Sequence, residues 1–100
     1  MTSHSVFGPM VDADAAKYIR ERDLPKLIAL RPKEINNYTF GGTEHLISRI
    51  QTVLRATYRA ALTDGWTYSV NRHIALLSAL KAEQARLKQM REARELRAAE

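Results

Sequence analysis

The sequence predicts an all-α domain built on a long antiparallel helical hairpin, with one or two short N-terminal helices packed on it. Apolar residues recur at three- and four-residue steps over about 43–63 and again over about 69–96, which is the spacing of one helix face. Asp64-Gly65 lies between these stretches, and glycine often follows the end of a helix. A length of 100 residues fits one such domain.

The N-terminal part is predicted to contain short, interrupted helices. Residues 1–10 combine glycine, proline and small polar residues, so we expect a flexible leader there. Asp12 can accept a backbone N–H, which predicts an N-cap and a short helix over about 11–22. A second short helix is expected to start around Pro25, because proline fits the first turn of a helix, and Pro32 then ends it.

Residues 33–42, KEINNYTFGG, are predicted to form a connector in which Tyr38 and Phe40 pin the chain onto the core. Thr43 is the predicted N-cap of the first long helix. The two glycines before it resemble an anion-binding helix start, where free N–H groups receive a phosphate. An ordinary capped start is the favoured interpretation, because Glu44 in the same turn would repel an anion.

The second long helix is predicted to follow a left-handed Gly65, with Trp66 folded back onto the preceding helix. Its expected N-cap is Thr67 or Ser69. The expected core positions are Val70, Ile74, Leu77, Leu80, Leu87 and Met90, with Leu76 on the flank.

Antiparallel pairing about this turn joins residues whose numbers sum to about 133, because both helices advance by the same rise per residue. Thr43 then lies opposite Met90. The helical domain is therefore predicted over 11–90, and 91–100 is predicted to be a charged helical extension without a neighbour.

Composition narrows the functional classes. Lys and Arg number 16 against 11 Asp and Glu, and the net charge of +5 favours contact with nucleic acid or an acidic protein surface. The absence of cysteine excludes disulfides and thiolate metal sites, and is compatible with a reducing compartment. No secretory signal and no membrane span is expected, since no apolar run approaches about 18 residues. We therefore expect a cytoplasmic protein that does not contact the membrane.

Enzyme chemistry is not predicted. The three histidines, at positions 4, 45 and 73, lack the spacing of metal ligands on one helix, and no serine lies in a nucleophile-elbow motif. We expect no catalytic residue, no metal, no cofactor and no small-molecule substrate.

Residues 57–74 also match a helix-turn-helix, the motif that presents a helix to the major groove of DNA. Counted from Thr57, Ala61 stands at the fifth position and Gly65 at the ninth, as in the DNA-binding turn. Asn71, however, stands where an apolar residue would normally pack. The residues that would face DNA can bond phosphates and base edges, and they are Thr67, Tyr68, Ser69, Arg72 and His73.

A local polar cluster is the favoured interpretation of the same residues. Tyr68 and Arg72 are four apart and share a helix face. Bonds from this cluster to Glu21 or Asp64 would hold the first helix on the hairpin. His73 beside an apolar face is typical of a packed side chain, although an exposed histidine would titrate near neutral pH.

The leading functional prediction is a non-enzymatic interaction or regulatory protein. It is expected to bind a protein partner, or a second copy as a homodimer, through a basic helical surface. The alternative is a DNA-binding module of helix-turn-helix type that acts through residues 67–73. The basic surface is expected to include Arg55, Arg59, Arg86, Met90, Arg91 and Arg94.

Two blocks of the chain, YIRERDLPKLI at 18–28 and YSVNRHIALLSALKAEQARL at 68–87, resemble a family of short helical proteins of alphaproteobacteria whose function is unknown. The common features are an Arg-Glu-Arg segment before a leucine pair and a Tyr-Ser followed by Arg-His. The resemblance implies a bacterial, cytoplasmic protein and no particular activity.

Overall fold

The fold is all-α, as predicted. A computed structural model describes residues 8–63 and 65–99, and within these ranges no residue forms a strand. A short 3₁₀ turn, Gly65–Thr67, connects the two long helices. The helices are α1 (Gly8–Lys17), α2 (Arg20–Leu27), α3 (Pro32–Ile35), α4 (Phe40–Thr63) and α5 (Val70–Ala99).

The predicted hairpin and its register are confirmed. Near the turn, the rings of Tyr58 and His73 lie 6.4 Å apart. At the other end, the ring of Phe40 lies 5.8 Å from the guanidinium of Arg91 and 4.7 Å from that of Arg94. These pairs lie at the two ends of the contact between α4 and α5. Their residue numbers sum to 131–134, close to the predicted sum of about 133.

Helix α4 begins three residues before the predicted N-cap, so the prediction for Thr43 was wrong. Thr39 is the cap, because its hydroxyl accepts the N–H of Gly42 at 3.0 Å. Thr43 is fully buried in the first turn of α4. Gly42 is required there, because the Cβ of any other residue would overlap the side chain of Asn37.

The second long helix, α5, begins at Val70. Its cap is Ser69, one of the two predicted alternatives, because the Ser69 hydroxyl accepts the N–H of Arg72 at 3.2 Å.

The first helix differs from its prediction at both ends. It begins at Gly8, inside the predicted leader, whose residues 1–7 lie outside the described part of the chain. Asp12 is not its cap but an interior residue that forms an ion pair with Lys81 of α5. It ends at Lys17, and the chain then passes through an extended Ile19 before α2 begins.

The boundaries of α2 are set by a carboxylate rather than by proline. The Asp23 carboxylate accepts the backbone N–H of Ile19 at 3.0 Å, which caps the helix from inside its first turns. Pro25 therefore lies within α2, and the prediction of a helix start there was wrong.

A further short helix occupies part of the predicted connector. Pro32 begins α3 instead of ending a helix, with Arg31 as N-cap. The Glu34 carboxylate accepts the N–H of Arg31 at 2.9 Å and contacts His45 and Arg49 of α4 at 2.6 and 2.9 Å. The pKa of Glu34 is lowered to about 2, mainly by the hydrogen bond from the Arg31 N–H and next by the bond with His45. These contacts hold α3 on α4, and they engage His45, which follows the two glycines of the helix start that resembles an anion site.

The core lies where α2 crosses the hairpin. Its leucines and isoleucines are nearly inaccessible to solvent, with Leu76 at 0% exposure. Leu76 was predicted on the flank, and that prediction was wrong because α5 contacts α1 and α2 as well as α4. Val70, a predicted core position, is exposed, and Leu77, Leu80, Leu87 and Met90 are half-buried. The buried cluster consists of Leu24, Ile28, Leu46, Ile50, Leu76 and Ala79.

Candidate functional site

A buried ion pair joins α2 to α5 at the centre of the fold. Arg20 donates from Nε to Glu83 Oε2 at 2.9 Å and from Nη2 to Glu83 Oε1 at 2.6 Å. The two side chains are 1% and 0% exposed. This is the paired geometry in which guanidinium and carboxylate form their strongest hydrogen bonds.

The other donors of Arg20 bind the segment before α4. Its Nη1 donates to the carbonyls of Ile35 and Asn37 at 3.2 and 3.0 Å, and its Nη2 also donates to Thr43 Oγ1 at 3.3 Å. A guanidinium has five N–H groups, and all of them are used here.

Two tyrosines complete this network. The Tyr18 hydroxyl donates to Glu83 Oε2 at 2.8 Å. The pKa of that hydroxyl is raised far above its ordinary value, mainly by burial and next by the negative charge of Glu83. The Tyr38 ring lies 4.1 Å from the Arg20 guanidinium and 5.1 Å from that of Arg86. Since every donor of Arg20 is satisfied within the chain, the network supports the fold and offers no position to a ligand.

Sequence reasoning missed this network. Arg20 and Glu83 are charged, and a charged residue is normally assigned to the surface. A signal was nevertheless present, because Glu83 follows Leu76 and Ala79 at helical spacing and thus lies on the buried face of α5.

The residues predicted to face DNA are engaged within the molecule. Arg72 donates to the carbonyl of Leu27 at 2.7 Å and to Thr57 Oγ1 at 3.3 Å, so it holds the end of α2 on the hairpin. Tyr68 Oη and His73 Nδ1 lie 2.6 Å apart, with the two rings edge to face. Burial lowers the pKa of His73.

These contacts confirm the polar cluster but change its partners. A main-chain carbonyl and a threonine hydroxyl bind Arg72, and the predicted bond to Glu21 does not occur among the described residues. The other predicted partner, Asp64, lies outside the described residues. Ser69 is occupied as the cap of α5, and Thr67 is exposed in the 3₁₀ turn.

The predicted basic surface divides into two parts. On α5, the guanidinium of Arg86 lies near Tyr38, and those of Arg91 and Arg94 lie near Phe40. The expectation that residues 91–100 have no neighbour was therefore wrong at its beginning, because α4 starts early enough for Phe40 to reach them. Met90 is half-buried. The second part, Arg55 and Arg59, lies exposed on α4 near the turn.

Beside that second part is an exposed apolar surface. We name it the hairpin tip and define it by Tyr58, Leu62, Trp66 and Val70. Their exposed fractions are 59%, 76%, 87% and 46%. Trp66 does not fold back as predicted, because Gly65 starts a 3₁₀ turn outside the left-handed region and the indole projects into solvent.

The four residues lie together at one end of the molecule. Tyr58 and Leu62 are one turn apart on α4. His73 contacts Tyr58, and Val70 lies one turn before His73, so the antiparallel register brings Val70 opposite Leu62. Trp66 lies in the connection between them. The hairpin therefore ends in a cluster of large apolar side chains.

Comparison with protein-family models, with curated proteins and with solved structures found no match to this chain. The resemblance to alphaproteobacterial proteins accordingly stays a prediction. In the part of the chain that the structure describes, no group of three or more His, Asp or Glu side chains is placed to hold a metal ion. Nor does any described helix combine the length and apolar character needed to cross a membrane.

Proposed function

We propose that this chain is a non-enzymatic interaction protein, of regulatory type, that binds a protein partner through the hairpin tip. The single observation behind the proposal is the exposure of Trp66, Leu62 and Tyr58 together at one end of the fold. Clustered large apolar side chains in water are typical of protein-binding surfaces, and tryptophan and tyrosine contribute most strongly to binding energy at such surfaces.

Side-chain hydrogen bonds join the helices next to the tip. Arg72 joins the end of α2 to the hairpin, and the Tyr68–His73 bond closes the start of α5. These bonds reduce the backbone freedom that a partner would have to restrict on binding.

The proposal centres on the tip rather than on the basic end of α5. The guanidinium groups of Arg91 and Arg94 already lie near the Phe40 ring, and that of Arg86 near Tyr38. Arg55 and Arg59 are exposed beside the tip and can add charged contacts at its edge.

Two observations favour a protein over DNA as the partner. In a DNA-binding helix-turn-helix the two helices cross at about 90–120°, whereas α4 and α5 run antiparallel, with Tyr58 near His73 at one end and Phe40 near Arg94 at the other. Arg72, the strongest candidate for a phosphate contact, binds Leu27 and Thr57 instead. The proposal also includes a bacterial, cytoplasmic setting, in agreement with the cysteine-free sequence and the family resemblance.

Affinity capture with matched variants tests the proposal. Immobilised wild-type chain, Leu62→Ser and Trp66→Ser are incubated with alphaproteobacterial extract, and retained proteins are quantified by mass spectrometry. Leu96→Ser is the control, because Leu96 is another exposed leucine, at 69%, but lies near the end of α5 that is far from the tip. We expect a partner that the wild-type chain and the control retain and that both tip variants lose. Equal retention by all four proteins contradicts the proposal.

A further inference from the structure

Among the described residues, unpaired positive charge lies beside the hairpin tip. Two of the five basic residues in 45–82 are paired with carboxylates of other elements, Arg49 with Glu34 and Lys81 with Asp12. The others are Arg55, Arg59 and Arg72 against Asp64, a balance of 3 − 1 = +2. A partner that covers the tip therefore meets a surface that is both apolar and positive.

Charged and apolar side chains alternate along one side of α4. Arg55 precedes Tyr58 and Arg59 by three and four residues, and Leu62 follows them by four and three, so the four residues share one side over about two helical turns. Arg55 and Arg59 are exposed, and within the described residues the only bond of the Arg55 guanidinium is to Thr52 Oγ1, at 3.2 Å. This spacing fits a helix laid alongside α4, because a partner helix presents side chains at the same steps.

From this we infer that the hairpin tip binds an acidic amphipathic helix of another protein. The apolar face of that helix covers Leu62, Tyr58 and Trp66, and its carboxylates pair with Arg55 and Arg59. The inference rests on the proposed function and names the chemistry of the partner.

The charges and the aliphatic residues together select this occupant. A second copy of the chain would bring Arg55 and Arg59 against the same positive surface, and like charges in contact disfavour association. A nucleic-acid strand would satisfy the arginines and stack on Trp66. It would, however, bury Leu62 and Val70 against phosphate and sugar, which offer them no apolar partner.

Trp66 supplies the readout, because it is the only tryptophan in the chain and is 87% exposed. Its emission moves to shorter wavelength when a partner excludes water from the indole. The probes are two helix-stapled peptides without tryptophan. Both carry leucines at three- and four-residue steps, flanked by glutamates in one peptide and by lysines in its twin.

We expect the glutamate peptide to shift the emission and to bind at least about ten-fold more tightly than its lysine twin. The double variant Arg55→Glu/Arg59→Glu should lose this preference or reverse it. Lys88→Glu/Arg97→Glu is the control, because it changes the net charge equally at exposed positions near the far end of α5, and it should bind as the wild-type chain does. Circular dichroism checks that each variant is folded.

Each other outcome overturns the inference in a distinguishable way. If both peptides bind equally and Leu62→Ser abolishes binding, the tip is a protein-binding surface without acidic selectivity, and the proposed function stands. If neither peptide binds and sedimentation shows a dimer that Leu62→Ser dissociates, a second copy is the occupant. If only single-stranded oligothymidylate shifts Trp66, with a steep dependence on salt, both the inference and the proposed function fail. If no probe shifts Trp66 and no dimer forms, the inference fails.

Discussion

The buried pair of Arg20 and Glu83 gives the most demanding test of the fold. Arg20→Met leaves the Glu83 carboxylate buried with the Tyr18 hydroxyl, and with Arg86 at 3.9 Å as the remaining cation. Breaking one side of a buried ion pair costs about 3–5 kcal/mol. The presence of Arg86 places the expected loss in unfolding free energy near the lower value, about 3 kcal/mol. A total stability of about 5–15 kcal/mol is typical of a domain, so this loss is large.

The double variant Arg20→Met/Glu83→Leu should recover about a third of that loss, because no charge is left buried. What remains is the loss of a hydrogen-bond partner by four groups, namely the carbonyls of Ile35 and Asn37 and the hydroxyls of Thr43 and Tyr18. Three of these four bonds are only partly buried, so we assign about 0.5 kcal/mol to each, hence about 2 kcal/mol for the double variant. Glu83→Leu alone leaves a buried cation and should cost about 3 kcal/mol. Additive behaviour would instead give about 6 kcal/mol for the pair.

Urea unfolding followed by circular dichroism measures these differences. With a slope of about 1.5 kcal/mol per molar urea, a loss of 3 kcal/mol lowers the midpoint by about 2 M. Arg22→Met is the matched control, because Arg22 bonds Asp23 at the surface with 54% of its side chain exposed, and it should leave the urea midpoint nearly unchanged. Strict additivity of the two single losses would refute the description of Arg20 and Glu83 as a coupled buried pair.

Three further measurements test other parts of the structure. Gly42→Ala should lower the free energy of unfolding by about 1–3 kcal/mol, because its Cβ would lie 2.6 Å from the backbone oxygen of Asn37. Gly65→Ala, with nothing within 4 Å, should leave the midpoint unchanged or raise it; equal losses in the two variants would contradict this contrast. Leu76→Ala should cost about 2–5 kcal/mol in the same assay, and a loss below about 1 kcal/mol would place Leu76 outside the core. Tyr18 keeps its proton in the folded state while the unfolded chain ionises above its ordinary pKa of 10.0, so stability should fall as the pH rises beyond that value. Tyr18→Phe should remove this part of the alkaline dependence, and an unchanged pH profile of the urea midpoint would show that the hydroxyl contributes none of it.

Apolar periodicity was sufficient to predict the hairpin but not to orient its second helix. The spacing of apolar residues identifies one face, and from that spacing Leu77 and Leu80 are predicted to lie in the core of the hairpin. In the structure α5 also contacts α1 and α2, so the most buried face passes through Leu76, Ala79 and Glu83. The apolar pattern of α5 does not reveal that the helix packs against neighbours on two sides. Side chains that lie between those two contact surfaces are buried as well, even where they are polar or charged.

Capping residues were assigned wrongly where the chain folds back on itself. Thr43 and Thr39 are both good caps by type, and the choice between them depends on the close approach of Asn37 to Gly42. That approach also positions the carbonyl of Asn37 for Arg20. Because this information lies in tertiary contacts, local sequence preference could not supply it.

The candidate binding surface follows from a mismatch of helix lengths. The apolar face of α4 continues from Leu46 to Leu62, over a helix of 24 residues and about 36 Å. Helix α2 contributes Leu24 to the same buried cluster as Leu46 and Ile50 of that face, but it has only 8 residues and spans about 12 Å. It buries the end near Leu46 and stops where Arg72 binds Leu27, so Tyr58 and Leu62 extend beyond it. A sequence shows that an apolar face exists, whereas only the fold shows how much of it the chain can cover itself. The uncovered length carries Tyr58 and Leu62, the part of the hairpin tip that α4 contributes.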